Sequence, residues 1–310
     1  MKLRAYLLMT FVVAIWGSTF VVIKGALADA SPAAFNLIRM TLAFLLLAIA
    51  YHRSWGTIRR SDIGSGALVG LCLAAGYQFQ TIGLVRTTPS KSAFITGLVV
   101  VLVPLFSIVP ALRPPGARPP RWNAFLGAAL AFIGILFLTA PPAASVSSGT
   151  VSAFLPDFSS INAGDVLTFG CSVAFAFHCI ALGHTSPRIP FRPLALLQVG
   201  FCAFFMAASL PFIEHPRVHF TPRVAIALLI AAAFATAAAF SIQSWAQSIL
   251  PATPMALILA LEPAFAWITS FFVTGEHLGL VPAAGAMLIM SGIALTELVP
   301  QPHVPTAHEA

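Results

Sequence analysis

The sequence contains very few charged residues. Only 8% of its 310 residues are Asp, Glu, Lys or Arg, while 59% are hydrophobic. Ordinary globular domains carry roughly a quarter charged residues. A soluble fold cannot hide so much apolar surface, whereas a bilayer solvates it and requires only that the backbone satisfy its own hydrogen bonds, as helices do. The scarcity of charge therefore predicts an all-α integral membrane protein.

The sequence also lacks the spacings that mark several kinds of site. Its four cysteines show no Cys-x-x-Cys spacing, which argues against a disulfide framework and a zinc site. None of its three lysines completes a G-x-x-x-x-G-K-[ST] loop, which disfavours an ATP-driven pump. Neither an H-E-x-x-H motif nor a nucleophile–base spacing occurs inside the apolar stretches. We therefore expect no enzyme activity, no metal and no cofactor.

What the sequence does have is a series of apolar segments long enough to cross a bilayer as helices. The first follows Lys2 and Arg4 and imitates a signal peptide, but its apolar run of about 19 residues exceeds the roughly 7–15 of a signal peptide's apolar region. The ten segments, numbered in chain order, run at about 5–23, 33–51, 63–85, 92–112, 122–140, 164–183, 194–213, 223–246, 252–273 and 279–298.

The positive charges predict the orientation of these segments. With a cytoplasmic N-terminus, the inside loops hold ten Lys and Arg residues and the outside loops hold five, and cytoplasmic loops carry the excess. Their scattering in twos and threes argues against a nucleic-acid partner. We expect both termini in the cytoplasm, an extracytoplasmic linker at 141–163 and a cytoplasmic tail at 299–310.

The two halves of the sequence repeat each other. A shift of 159 residues lays segments 1 to 4 on segments 6 to 9, with Arg39 on Gln198 and Val103-Pro104 on Glu262-Pro263. Segments 5 and 10 match at a shift of 158. Because five is odd, the second copy enters the bilayer from the opposite side, so 5–140 and 164–298 are predicted to be inverted repeats. Such repeats are typical of secondary transporters, whose site lies between the halves near the midplane.

Several motifs carry a family resemblance. Segment 1 contains Trp16-Gly17-Ser18-Thr19-Phe20, segment 3 ends in Gln80-Thr81-Ile82-Gly83-Leu84, and the second half carries Ala260-Leu261-Glu262-Pro263 followed by Gly275-Glu276. In this order and in two copies, they resemble the EamA domains of the drug/metabolite transporter superfamily over about residues 5–298. The resemblance implies a ten-helix carrier of the inner membrane with segments 1, 3, 4, 6, 8 and 9 around a central cavity. It also implies export of amino acids or other metabolites.

Two charged residues fall inside the apolar segments, where such residues are functional hypotheses by default. Arg39 is shallow enough to reach the outer interface or pair with Asp29, so we expect it to be an anchor. Glu262 lies too deep for that and must be protonated, paired or facing water, either as a cavity group or as a packed carboxyl. Pro104 and Pro263 remove backbone donors and predict kinks that either line a cavity or only pack.

Polar and aromatic side chains in these segments have no favourable place in lipid. Segment 8 carries Thr236, Phe240, Gln243 and Gln247 in one helical stripe, which either binds solute or bonds to neighbouring helices. A lone intramembrane histidine such as His178 is more often a helix-to-helix hydrogen bonder than a proton relay. The predicted substrate-binding residues are Trp16, Ser18, Thr19, Tyr77, Gln80, Thr96, His178, Thr236, Phe240, Gln243 and Glu262.

These features predict a secondary transporter that exports a small metabolite, such as an amino acid or a related amphipathic solute, by alternating access. Protons are a candidate coupling ion, and a homodimer is a candidate assembly. The alternative is a membrane sensor or assembly subunit that keeps the fold without moving solute, which a dry and fully packed centre would favour. Gly127 and Gly134, with their counterparts Gly285 and Gly292, predict close packing of segments 5 and 10.

Overall fold

The computed structural model describes residues 2–115, 119, 121–139, 161–250 and 258–298. Regular structure in this part of the chain is helical, apart from an isolated antiparallel bridge between Ala30 and Val218. The all-α prediction is therefore confirmed for these residues. The predicted tail at 299–310 and all but the last three residues of the predicted linker lie outside the described part.

The helices follow the apolar segments along the chain. In the first half they are α1 (Lys2–Ala26), α2 (Pro32–Ala50), α3 (Arg60–Leu84), α4 (Pro89–Thr96), α5 (Val99–Phe106) and α6 (Trp122–Thr139). In the second half they are α7 (Ala163–Thr185), α8 (Phe191–Ile213), α9 (Pro222–Leu229), a π-helical segment (Ile230–Ala238), α10 (Ala239–Gln247), α11 (Glu262–Thr274) and α12 (Leu280–Leu298). Short 3₁₀ turns cover His52–Thr57 and Pro110–Leu112.

Seven helical stretches within the described residues are long and apolar enough to cross a membrane. They are Leu3–Ala26, Pro32–Ala50, Arg60–Leu84, Pro89–Phe106, Ala163–Thr185, Phe191–Ile213 and Pro222–Gln247, and shorter apolar helices cover Trp122–Leu138 and Leu280–Leu295. Large apolar side chains such as Phe11, Ile49 and Phe212 are exposed on their outer faces. A surface of this kind requires an apolar surrounding, so the described helices have the character of a multi-pass membrane protein.

Two predicted segments differ in detail from the structure. Segment 4, expected at 92–112, begins at Pro89, breaks at Gly97–Leu98 and ends as an α-helix at Phe106. Segment 9 is described only from residue 258, and its helix α11 begins at Glu262 with Pro263 in the first turn. Proline suits that position because the first-turn N–H groups have no intrahelical acceptor. Pro104 lies inside α5 and Pro263 in the first turn of α11, and the kinks expected at the two prolines stay predictions.

Glycines bring two helix pairs into backbone contact. A Cβ atom added to Gly134 would lie 2.6 Å from the Gly285 carbonyl oxygen, and one on Gly292 would collide with the Gly127 carbonyl. The predicted close packing of segments 5 and 10 is thus confirmed in α6 and α12. Gly17 plays the same part in α1, since its added Cβ would lie 2.7 Å from the Glu262 carbonyl oxygen. This contact holds the start of α11 beside Trp16 and Thr19.

Candidate solute-binding site

A cavity of about 90 Å³ lies between helices of both halves. It has room for several water molecules, since roughly 10–15 Å³ suffices for one. Its walls come from α1, α2, α3, α4, α5, α7, α10 and the residues around the start of α11. The polar side chains that line it are Thr19, Arg39, Tyr77, Gln80, Thr81, Thr96, His178, Gln243 and Glu262.

The structure brings nine of the eleven predicted site residues to this cavity. They are Trp16, Thr19, Tyr77, Gln80, Thr96, His178, Phe240, Gln243 and Glu262. Ser18 is not among the lining residues and is hydrogen-bonded to Thr269 of α11 at 3.0 Å. Thr236 is also away from the lining, and its hydroxyl donates to the Ala231 carbonyl five residues earlier. The π-helical segment explains this difference, because its wider turn alters the α-helical register that the stripe prediction assumed.

Three aromatic rings contact Phe240 and shape one wall of the cavity with it. Trp16 and His178 lie with ring centroids 5.8 and 5.9 Å from that of Phe240, and Tyr77 is edge-on to it at 6.3 Å. Phe175 packs edge-on against Tyr77 at 5.3 Å. Trp16 Nε1 donates to the Ala235 carbonyl at 2.8 Å, which fixes its ring. The result is a rigid apolar surface beside the polar groups.

Arg39 is the cavity residue that the sequence analysis assigned to a different place. Its side chain is 1% exposed and lines the cavity instead of reaching an interface. Nε donates to Thr236 Oγ1 at 2.8 Å, and Nη2 donates to the Tyr77 hydroxyl at 3.1 Å and to the Ala235 carbonyl at 3.3 Å. The predicted pairing with Asp29 is wrong, since Asp29 accepts from Thr221 Oγ1. The sequence could have indicated this position, because a charged residue inside a membrane span is expected to have a functional role.

Some polar groups around the cavity are bonded to the protein and others are not. His178 Nε2 is hydrogen-bonded to Gln198 Oε1 at 3.0 Å, and Gln198 Nε2 donates to Ser244 Oγ at 3.3 Å, so His178 joins three helices. Within the described residues, Gln243 Oε1 is buried without a partner. In the same part of the chain, the Glu262 carboxylate has neither a hydrogen bond nor an ion pair. The side chains of Gln243 and Glu262 are therefore available to a ligand.

Polar contacts between helix ends lie next to the cavity-lining residues Ile23 and Leu84. Lys24 Nζ donates to the carbonyls of Leu84, Val85 and Thr87 at 2.6 to 3.0 Å. Lys91 forms an ion pair of 2.7 Å with the buried Asp165, which also accepts from Thr87 Oγ1. These contacts join the ends of α1 and α3 to the beginnings of α4 and α7.

Glu276 adds a further contact beside these helix ends. Gly275, in the left-handed conformation at a φ of 68°, ends α11 and lets the chain turn back. The Glu276 carboxylate then accepts from Ser90 Oγ at 2.9 Å and from Ser270 Oγ. The Gly-Glu pair that follows α11 thus ties this helix to the beginning of α4.

The sequence profile of the EamA-like transporter family matches residues 3–140 and again residues 162–298. The chain belongs to the EamA-like transporter family. An uncharacterized transporter of Archaeoglobus fulgidus is 32% identical over 96% of this chain and 87% of its own. The uncharacterized transporter YcxC of Bacillus subtilis is 24% identical over 93% and 90% of the two chains.

A crystal structure shares the fold of this EamA-like protein with a TM-score of 0.63 at 17% identity. It covers 96% of this chain and 98% of that one. Membership in the EamA-like family makes this chain a multi-pass membrane protein and supports a transporter rather than an enzyme. A small-molecule substrate inside the bilayer is the partner that follows from this class.

Proposed function

We propose that this protein is a secondary transporter that exports a small metabolite, such as an amino acid or a related amphipathic solute, by alternating access. In this proposal it spans the cell inner membrane ten times as two inverted repeats, and both termini are cytoplasmic. The observation that carries the proposal is the cavity, because both halves contribute polar side chains to it. Solute sites of secondary transporters lie at such an interface between repeats.

The cavity lining supports a pseudo-two-fold relation between the halves. Six pairs of lining residues are separated by 159 positions, the shift at which segments 1 to 4 superimpose on segments 6 to 9. The pairs are Trp16 with Phe175, Thr19 with His178, Phe20 with Cys179, Thr81 with Phe240, Leu84 with Gln243, and Val100 with Leu259. This arrangement predicts that the cavity lies on a pseudo-two-fold axis, because equivalent residues of the two halves come close together only near such an axis.

The helix packing supports the same relation. Helix α1 packs on α11, and its counterpart α7 packs on α4 and α5. Helix α2 packs on the π-helical segment, and its counterpart α8 packs on α3. The ring of Trp16 bonds to Ala235, and the ring of Phe175 abuts Gly76, the residue equivalent to Ala235. The two family matches favour the proposed units 5–140 and 164–298, joined by a linker at 141–163. Opposite insertion of equivalent halves is the basis of two-sided access.

The alternative of a non-transporting sensor or assembly subunit predicts a packed, apolar centre. The polar cavity favours transport over that alternative, because a structural subunit has no need of unpartnered buried groups next to open space. Protons remain our candidate coupling ion, with the Glu262 carboxyl in the lining as the group proposed to carry them. A carboxyl there could bind and release a proton as the cavity alternates between wet and closed states.

Flux measurements on purified protein in liposomes test the proposal. Amino acids and cationic amphipathic compounds are screened with and without a pH gradient. We expect saturable uptake of at least one solute, which Val100→Phe, a substitution in the lining, reduces at least tenfold. Val109→Phe is the matched control, since Val109 is exposed outside the cavity. Flux equal to that of protein-free liposomes for every solute would contradict a transport function.

A further inference from the structure

We propose that Arg39 binds the anionic group, a carboxylate, of the transported solute. The inference rests on the proposed transport function and adds the chemical class of the solute and the residue that selects it. Arginine carries five N–H donors. Three of them are used, by Thr236, Tyr77 and the Ala235 carbonyl, while Nη1 is buried and has no hydrogen-bond partner among the residues that the structure describes.

Among the residues that the structure describes, the guanidinium also has no counter-ion. In the described part of the chain no carboxylate lies within ion-pair distance of Arg39, whose side chain is 99% buried. A buried, unpaired cation is costly in a membrane protein and is retained where it serves a pathway or a ligand. Because the described residues place no carboxylate within ion-pair distance of the guanidinium, a carboxylate from the solute is the partner that would satisfy both its charge and its free donors.

The rest of the lining fits a solute of this kind. Gln243 Oε1 is a buried acceptor to which no described residue donates, so the solute is expected to present an N–H or O–H group away from its carboxylate. Trp16 and Phe240 line the cavity and supply aromatic surface to its hydrocarbon part. A small carboxylate with one hydrogen-bond donor and an apolar side chain therefore matches the three surfaces of the cavity.

The two halves differ at the position that binds the anion. Gln198 stands where Arg39 would recur in the second half, and its amide is used by His178 and Ser244. Tyr77 and Thr236, which orient the guanidinium, are themselves 159 residues apart. One cation is thus held between equivalent residues of both halves. This arrangement predicts a single carboxylate per transport cycle.

Matched sets of ligands test this inference on the purified protein in detergent. Each set shares one hydrocarbon skeleton: alanine, propanoate and ethylamine; leucine, 4-methylpentanoate and 3-methylbutylamine; phenylalanine, 3-phenylpropanoate and 2-phenylethylamine. Thermal stabilisation and tryptophan fluorescence report binding. In at least one set we expect the amino acid and the acid to bind the wild type at least tenfold more tightly than the amine.

Variants at Arg39 assign this preference to the guanidinium. Arg39→Gln should abolish the preference, and Arg39→Lys should keep part of it because it retains the charge with poorer geometry. Arg53→Gln, an exposed arginine just beyond α2, is the matched control and should bind as the wild type does. If Arg39→Gln does not fold, the wild-type preference and Arg39→Lys still decide the question.

The outcomes separate this inference from the proposed function. Amines that bind as tightly as their acids, an unchanged preference in Arg39→Gln, or no binding in any set would overturn the role of Arg39. Flux of a solute without a carboxylate would do so too, while leaving transport intact. Carboxylate binding that depends on Arg39 without any flux would instead support the site and contradict the transport function.

Discussion

Arg39 donates its Nε hydrogen to Thr236 Oγ1 across 2.8 Å and so joins α2 to the π-helical segment of the other half. The same guanidinium reaches the hydroxyl of Tyr77, the residue equivalent to Thr236 in the first half. The bond therefore crosses the interface between the two halves beside the cavity. Any movement of one half against the other that separates α2 from this segment has to break it.

Thr236→Val should destabilise the protein by removing the acceptor of Arg39 Nε. Hydrogen bonds to charged groups contribute about 1.5–3 kcal/mol, against about 0.5–1.5 kcal/mol for neutral ones. We expect a larger fall in the thermal midpoint in detergent than for Ser18→Ala, which removes only the neutral bond to Thr269. Equal falls for the two variants would mean that the Arg39–Thr236 bond has no special weight.

Gly17→Ala should separate α1 from α11. The new methyl group would lie 2.7 Å from both the Glu262 carbonyl oxygen and Phe265 Cβ, so the helices must shift. Overpacking of this kind costs about 1–3 kcal/mol, and the shift also displaces Glu262 from the cavity wall. We expect a lower thermal midpoint and weaker flux. Gly64→Ala is the control, because no described atom outside its own helix lies within 4 Å of its added Cβ. A similar loss of thermal stability and flux in Gly64→Ala would mean that the contact of Gly17 with α11 is not the cause.

Asp165→Asn should loosen the polar contacts between helix ends beside the cavity and make the cavity more accessible from that side. It removes the charge that pairs with Lys91 inside a largely buried contact, and breaking such a pair is destabilising. A cysteine placed at Ile23, in the cavity lining next to these contacts, should then react at least about threefold faster with a membrane-impermeant thiol reagent. A threefold change in the accessible population corresponds to a loss of about 0.7 kcal/mol in the stability of these contacts. Lys91→Met should act in the same direction.

The exposed Arg86→Gln is the control for this labelling experiment. Arg86 lies just after the end of α3 and is in no ion pair among the residues that the structure describes. Its substitution should leave the labelling rate of the Ile23 cysteine unchanged. Unaltered labelling in both Asp165→Asn and Lys91→Met would show that the ion pair does not control access.

Glu262→Gln should separate a coupling role from a structural one. The carboxamide keeps the size and hydrogen-bonding capacity of the side chain but cannot titrate, and apolar Val103 occupies the equivalent position in the first half. We expect the variant to fold and reach the membrane, yet to lose flux or its dependence on pH. Asp62→Asn, at a half-buried carboxylate at the start of α3 and outside the cavity lining, should leave both unchanged. Wild-type flux with an unaltered pH profile in Glu262→Gln would remove the coupling hypothesis.

The orientation is tested by reporter fusions. The excess of Lys and Arg in alternate loops predicts that a reporter joined after residue 150 lies outside and one after residue 305 lies in the cytoplasm. Activity assays for periplasmic and cytoplasmic reporters distinguish the two sides. The same side for both fusions would require a different number of spans and would end the argument for inverted repeats.

The sequence by itself determined the membrane class, the family and most of the cavity residues. Long apolar runs identify spanning helices because hydrophobicity is a property of the local chain. The internal shift of 159 residues and the polar positions inside apolar helices indicated where the halves meet, and nine of the eleven chosen residues lie at the cavity. Side chains that lipid cannot accommodate must turn inward, so their identity alone carries much of this information.

Only the tertiary structure decided where Arg39, Thr236 and Glu262 lie. The path of Arg39 inward depends on Tyr77 and Thr236, which come from distant parts of the chain. The π-helical segment turns Thr236 away from the lining, and the position of Glu262 depends on the helix start at that residue and on the close approach of Gly17. These features depend on contacts between helices, and helix periodicity cannot encode them because it describes each segment alone.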